Sequence, residues 1–189
     1  MSHPARIGLY GGTFDPIHNG HLHLIAQLLE RHLVDELILI PAGQPWLRAN
    51  SPMASGVDRL AMAQLAVKDL PPEIQSQVSV SDIEVQRSGP TYTIDTVEQL
   101  QKARPDVRWV LILGSDAHQA MGQWHRSEEL QSLVEILIVA RDGHGLDIQA
   151  LPISATDLRA SLQSQPSQQH ELPESVWTYI KEHKLYASK

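Results

Sequence analysis

Short apolar runs punctuate the chain, and amphipathic stretches fill the spaces between them. Ile7–Tyr10, Glu36–Ile40, Val78–Val85, Trp109–Leu113 and Glu135–Ala140 have the length and composition of buried strands. Between them, Gly20–His32, Val57–Lys68, Thr93–Ala103 and Glu128–Leu133 repeat their apolar positions with helical spacing. In the second of these, Leu60, Leu65 and Val67 with the intervening alanines predict the buried face, and Asp58 supplies a negative charge near the N-terminus. Strand alternating with helix predicts an α/β fold, a doubly wound and mostly parallel sheet with helices on both faces. Ligands of such sheets sit beyond the C-terminal ends of the strands. Pro71-Pro72 and Gly143–Gly145 read as connections, and the Ser/Gln-rich stretch Ser164–Gln169 is too short for a domain linker. No repeat is visible, so 1–189 reads as one domain whose C-terminal helical part, 154–189, packs on it.

Composition narrows the partners. A chain of 189 residues is long enough to bury a full core. Its formal charge of −7 argues against a nucleic-acid backbone as the main partner, so any phosphate must be met by a few local groups. The lack of cysteine excludes disulfides and thiolate zinc sites. With no apolar run of membrane-spanning length and no signal-peptide core, the expectation is a soluble, cytoplasmic protein without a membrane partner. A homo-oligomer is left open.

The chemistry concentrates where the first strand should hand over to the first helix. Gly11-Gly12-Thr13-Phe14-Asp15-Pro16-Ile17-His18-Asn19-Gly20-His21 combines a glycine turn with two histidines. Unpaired backbone N–H groups and the helix dipole favour an anion at such a junction, and glycine lets backbone approach it closely. His18 and His21, three residues apart, share one face of the first turn. The plainer alternative makes one a cap and the other a surface residue, although Asn19 can cap the helix itself. A metal site of His18, His21 and His23 with Asp15 is disfavoured, because His21 and His23 face different ways on a helix. No protein-held metal is expected.

Further motifs follow in order. Gly89-Pro90-Thr91-Tyr92-Thr93 opens a helix, Leu113-Gly114-Ser115-Asp116 closes a strand ahead of Trp124, and Ile153-Ser154-Ala155-Thr156-Asp157-Leu158-Arg159 begins the C-terminal part. The first stretch resembles the signature of the nucleotidyltransferase superfamily that carries the His-x-Gly-His motif. Together with the later segments, and with a tail from Leu172-Pro173-Glu174 to Leu185-Tyr186, it resembles the bacterial nicotinate-mononucleotide adenylyltransferases over nearly the whole chain. The resemblance implies a Rossmann-like fold and transfer of AMP from ATP to nicotinate mononucleotide, giving nicotinate adenine dinucleotide and pyrophosphate. It implies magnesium brought with ATP, and His18 and His21 as catalytic residues.

Under that resemblance ATP would meet Gly11, Gly12, Thr13, Phe14, His18, Gly20, His21, Gly114, Asp116, Ser154, Thr156 and Arg159. The nicotinate nucleotide would meet Thr13, Arg48, Tyr92, Thr93, Trp124 and His125. Physical chemistry supplies a reason for each group. Ser154, Thr156 and Arg159 at a helix start can clamp phosphates, although in isolation they read equally as a cap and a solvated arginine. Asp116 just past a strand can accept from ribose hydroxyls, or cap a helix. Trp124, among polar neighbours, can stack on a pyridine ring; by residue type alone it reads as core. Tyr92 could equally fill the core, while the N–H groups near Thr93 and His125 suit a carboxylate. One departure stands out: many members carry Pro-Pro-His followed by a cation, where this chain has Gln44-Pro45-Trp46-Leu47-Arg48. The cation is kept as Arg48 and the histidine is replaced by Leu47. Transfer to nicotinamide mononucleotide or phosphopantetheine, and a non-catalytic nucleotide-binding module, are the competing readings; a class I aminoacyl-tRNA synthetase fragment is rejected because the chain is short and acidic.

Overall fold

Each of the five apolar runs forms a strand, and all lie parallel in one sheet. The computed structural model describes residues 3–45, 51–140, 145–164 and 169–187. Its strands are β1 (Arg6–Gly12), β2 (Glu36–Pro41), β3 (Val78–Val80), β4 (Arg108–Gly114), β5 (Glu135–Ala140) and β6 (Leu146–Asp147), in the spatial order β3-β2-β1-β4-β5-β6. The helices are α1 (Asn19–Glu30), α2 (Gly56–Lys68), α3 (Pro72–Gln75), α4 (Thr93–Ala103), α5 (Ser115–Gln119), α6 (Ser127–Leu133), α7 (Ala155–Ser164) and α8 (Glu174–Glu182). Two points correct the sequence expectation. β3 is three residues long, because the chain turns at Ser81–Arg87 instead of continuing to Val85. β6 was not expected, since two residues at a sheet edge carry no detectable periodicity.

Alternation along β4 shows how the sheet is covered. Val110 and Ile112 join a core with α1, α2 and α8 on one face, while Trp109, Leu111 and Leu113 join a second core with α4 and α6 on the other. A strand buried on both faces reads as a continuous apolar run, as this one does. Gly8 of β1 is needed for packing, because a Cβ there would stand 2.8 Å from the Ile112 side chain. The C-terminal part shares the first core through Val176, Trp177, Ile180 and Tyr186. Among the described residues no helix is long and apolar enough to cross a membrane.

Order reverses between β1 and β4, and there the sheet opens. The two strands pair only over Arg6–Leu9 and Arg108–Leu111, although they run on to Gly12 and Gly114. Their C-terminal ends therefore splay, leaving a crevice at the switch point of the sheet.

Candidate active site

Beyond the crevice the chain makes a tight turn before α1. Phe14 takes a left-handed backbone conformation (φ 50°) and Asp15–Pro16 is a cis peptide. His18, extended at φ −145° and ψ 171°, is the N-cap of α1, so Asn19 does not cap the helix as expected. Asn19 is instead the first helical residue, and its amide donates to the His170 carbonyl at 2.9 Å. The backbone N–H of His18 donates to His21 Nδ1 at 3.1 Å, and the two rings stack with centroids 3.7 Å apart. Because Nδ1 accepts, the proton of the neutral His21 ring resides on Nε2. The edge-to-face ring of Phe14, 5.1 Å away, braces His21 further.

Two cavities meet at the crevice. One, of about 300 Å³, is lined by Phe14, Asp15, Gly20, His21, Asp116, Ala155 and Arg159 among others. The other, of about 390 Å³, is lined by Glu84, Thr91, Thr93, Thr96, Val97 and Trp124 with apolar strand residues. Tyr10, Gly11, Gly12, Thr13, Gly114 and Ala117 belong to both and form the wall between them.

Most of the set expected to meet ATP comes together in the first cavity: Gly11, Gly12, Thr13, Phe14, Gly20, His21, Gly114, Asp116 and Arg159. His18 lies buried behind His21 and does not line it. Nor do Ser154 and Thr156. The Ser154 hydroxyl accepts from the Asp157 N–H at 3.4 Å at the start of α7, and Thr156 accepts from Arg159 Nη2 at 3.2 Å. Thr13, Thr93 and Trp124 line the second cavity, whereas Tyr92 and His125 pack their rings on each other at 4.3 Å beside it in sequence. Arg48, with Trp46 and Leu47, lies outside the described residues.

Three buried polar residues outside the expected substrate-binding sets hold the site's loops. Asp15 accepts from the Met53 N–H (2.8 Å), the Ala54 N–H (3.1 Å) and the Tyr186 hydroxyl (2.7 Å). Burial and that carboxylate push the Tyr186 hydroxyl well above the usual phenol range. Arg59 is buried on α2 beside Met62, Ala63 and Ala66, displacing Leu60 and Leu65 from the fully buried face expected for them. Its position, three and four residues before Met62 and Ala63, was the signal that could have placed it inward. Glu84, buried in the wall of the second cavity, accepts from the Thr96 hydroxyl at 3.1 Å. Burial raises its carboxyl above the usual range, against the pull of neighbouring hydroxyls and Arg87. Among the described residues no three His, Cys, Asp or Glu side chains gather in a metal-binding cluster.

Known proteins match this arrangement in sequence and shape. A family model described as cytidylyltransferase-like matches residues 9–161. A probable nicotinate-nucleotide adenylyltransferase of Synechococcus sp. strain JA-3-3Ab is 36% identical over 200 residues, covering 96% of this chain and 94% of that protein. One from Clavibacter michiganensis is 36% identical over 205 residues, covering 100% and 99%. In shape, the chain superposes on Plasmodium falciparum nicotinic acid mononucleotide adenylyltransferase complexed with NaAD, with a TM-score of 0.81 at 20% identity over 96% of this chain and 97% of that one.

Proposed function

The chain belongs to the cytidylyltransferase-like family, among its nicotinate-nucleotide adenylyltransferases, and from that premise we propose how its two cavities divide the reaction. ATP takes the cavity with His21 and Arg159, and nicotinate mononucleotide takes the cavity with Thr93 and Trp124. One observation carries this reading: the cavities share a wall at the switch point, so two substrates can meet across Gly11, Gly12, Thr13 and Gly114.

The reaction needs no protein nucleophile. A phosphate oxygen of nicotinate mononucleotide attacks the α-phosphorus of ATP in line, the bond to the bridging oxygen breaks, and its electron pair leaves with pyrophosphate. Positioning and charge stabilisation do the rest. His21 donates Nε2–H to an α-phosphoryl oxygen as charge builds, and His18, stacked beneath it, completes the pair. Arg159 faces the outer phosphates, with Ser154 and Thr156 beside it at the start of α7. Asp116 accepts from ribose hydroxyls at the cavity wall. Across that wall Trp124 stacks on the pyridine ring, and the N–H groups at the start of α4, by Thr93, and near His125 meet its carboxylate, with Tyr92 shaping the rim. By the family motif alone, Arg48 is the cation for its phosphate. Magnesium brought with ATP would supply charge neutralisation at its phosphates, beside Arg159. The whole chain acts as one domain, working in the cytoplasm.

The test is pyrophosphate release from ATP with nicotinate or nicotinamide mononucleotide, side by side. Preferred release with nicotinate mononucleotide supports the reading. Release with neither overturns it, and preference for the amide reassigns the second cavity.

A further inference from the structure

We infer that Arg59 is the positioning residue for this reaction, fixing the wall between the two substrates from behind; the inference rests on the function proposed above. An arginine that is only 1% exposed must find partners in place of water. Its guanidinium donates through Nη1 to the Thr13 carbonyl (2.7 Å), through Nη2 to the Gly43 carbonyl (3.0 Å) and through Nε to the Ala54 carbonyl (3.4 Å). Those acceptors belong to three separate segments, and each bears on the site. Thr13 lines both cavities. Gly43 sits between Ala42 and Pro45, which line the second. Ala54 is the residue whose N–H donates to the Asp15 carboxylate.

The consequences follow from peptide geometry. A trans peptide points its N–H opposite to its C=O. Holding the Thr13 carbonyl toward Arg59 therefore turns the N–H of Phe14 the other way, and Phe14 lines the cavity proposed for ATP. Gly43 packs closely against the Glu84 turn: a Cβ there would lie 2.1 Å from the Glu84 carbonyl oxygen. Its loop is thus trapped between the Glu84 turn and Arg59. α2 presents the guanidinium rigidly: Ser55 caps the helix, its hydroxyl accepting from the Asp58 N–H at 3.1 Å. One planar fork thereby sets the relation between the β1 exit, which meets ATP, and the loop after β2, which borders the second substrate. Lysine cannot replace it, since a single ammonium on a flexible stem does not reach three divergent carbonyls.

The experiment compares R59K and R59Q with the unmodified protein in steady-state kinetics at 25 °C, each checked for folding by circular dichroism and thermal melting. The expected result is a folded variant with kcat lowered at least ~10-fold and KM for either substrate changed less than ~3-fold, because misaligned reactants lose rate before they lose binding. Folded variants with kcat within ~2-fold of the unmodified protein overturn the inference. So does a loss confined to KM, and so does failure of both variants to fold, which would make Arg59 a structural residue only. An unmodified protein that forms no dinucleotide points instead to the reaction assignment.

Discussion

Replacing His21 by alanine separates its two jobs, and the structure sizes each. As the third helical residue, its Nδ1 accepts from the His18 N–H at 3.1 Å, closing the start of α1. Loss of a cap costs about 0.5–2 kcal/mol. In a protein of this size that lowers Tm by roughly 1–8 °C, so His21→Ala remains folded at 25 °C. The proposed catalytic role is the larger of the two. With Nδ1 committed as acceptor, Nε2–H is the ring's donor, and His21 is the member of the stacked pair that lines the cavity proposed for ATP. Removing one preorganised donor to a developing phosphoryl charge costs about 2.7–4 kcal/mol, or ~10²–10³ in kcat. The assay is steady-state pyrophosphate release at 25 °C with saturating nicotinate mononucleotide and varied ATP, beside a thermal melt. A fall in kcat with a nearly constant KM for ATP is expected. A kcat within about threefold of the unmodified protein, or a loss confined to KM, would refute a transition-state role for this ring.

Other perturbations probe the second cavity and the buried polar contacts. Trp124→Ala should weaken nicotinate mononucleotide binding about tenfold to a hundredfold, the scale of one aromatic stacking contact, and leave ATP binding unchanged in titration calorimetry; equal loss of both would deny the division of the cavities. Glu84→Gln should change the pH dependence of stability. The folded protein holds this carboxyl above its ordinary value, so the native state keeps the proton longer than the unfolded chain does. The unmodified protein therefore loses stability relative to Glu84→Gln as pH rises from about 4.5 through the raised native value, and the difference then levels off; urea titrations between pH 4 and 8 read it, and a flat difference contradicts the assignment. Tyr186→Phe removes a 2.7 Å hydrogen bond to the buried Asp15 carboxylate, which keeps its two backbone donors. The expected cost is about 1.5 kcal/mol, a Tm some 3–6 °C lower, and an unchanged Tm would show the contact to be idle.

The centre of the sheet was legible because β1, β2 and β4 are short apolar runs that feed both cores, and α4 begins and ends at the residues its periodicity marks, Thr93 and Ala103. The turn proposed to meet ATP was legible for a similar reason: glycine turn, proline and histidines follow one another in the chain, so local sequence alone brings them together. What sequence could not show was the long-range holding of that turn. Asp15 reaches Tyr186 across 171 residues, Arg59 reaches Thr13 across 46 and Arg159 donates to the Asp15 carbonyl at 2.7 Å across 144. Such contacts leave no periodicity. An arginine on an amphipathic helix is ordinarily solvated, and only the three carbonyls placed around Arg59 by other segments reverse that preference. His18 shows the converse. Its motif does not show which of the two stacked rings lines the cavity; packing buries His18 and leaves that place to His21.

In the proposed reaction AMP crosses the shared wall from one cavity to the other. This transfer is tested most directly by following ATP labelled at the α-phosphate with nicotinate mononucleotide and separating the products. One equivalent of label is expected in nicotinate adenine dinucleotide for each pyrophosphate released, and none in the dinucleotide fraction when nicotinate mononucleotide is omitted. Label recovered as free AMP, or retained in ATP while both nucleotides bind, would contradict it.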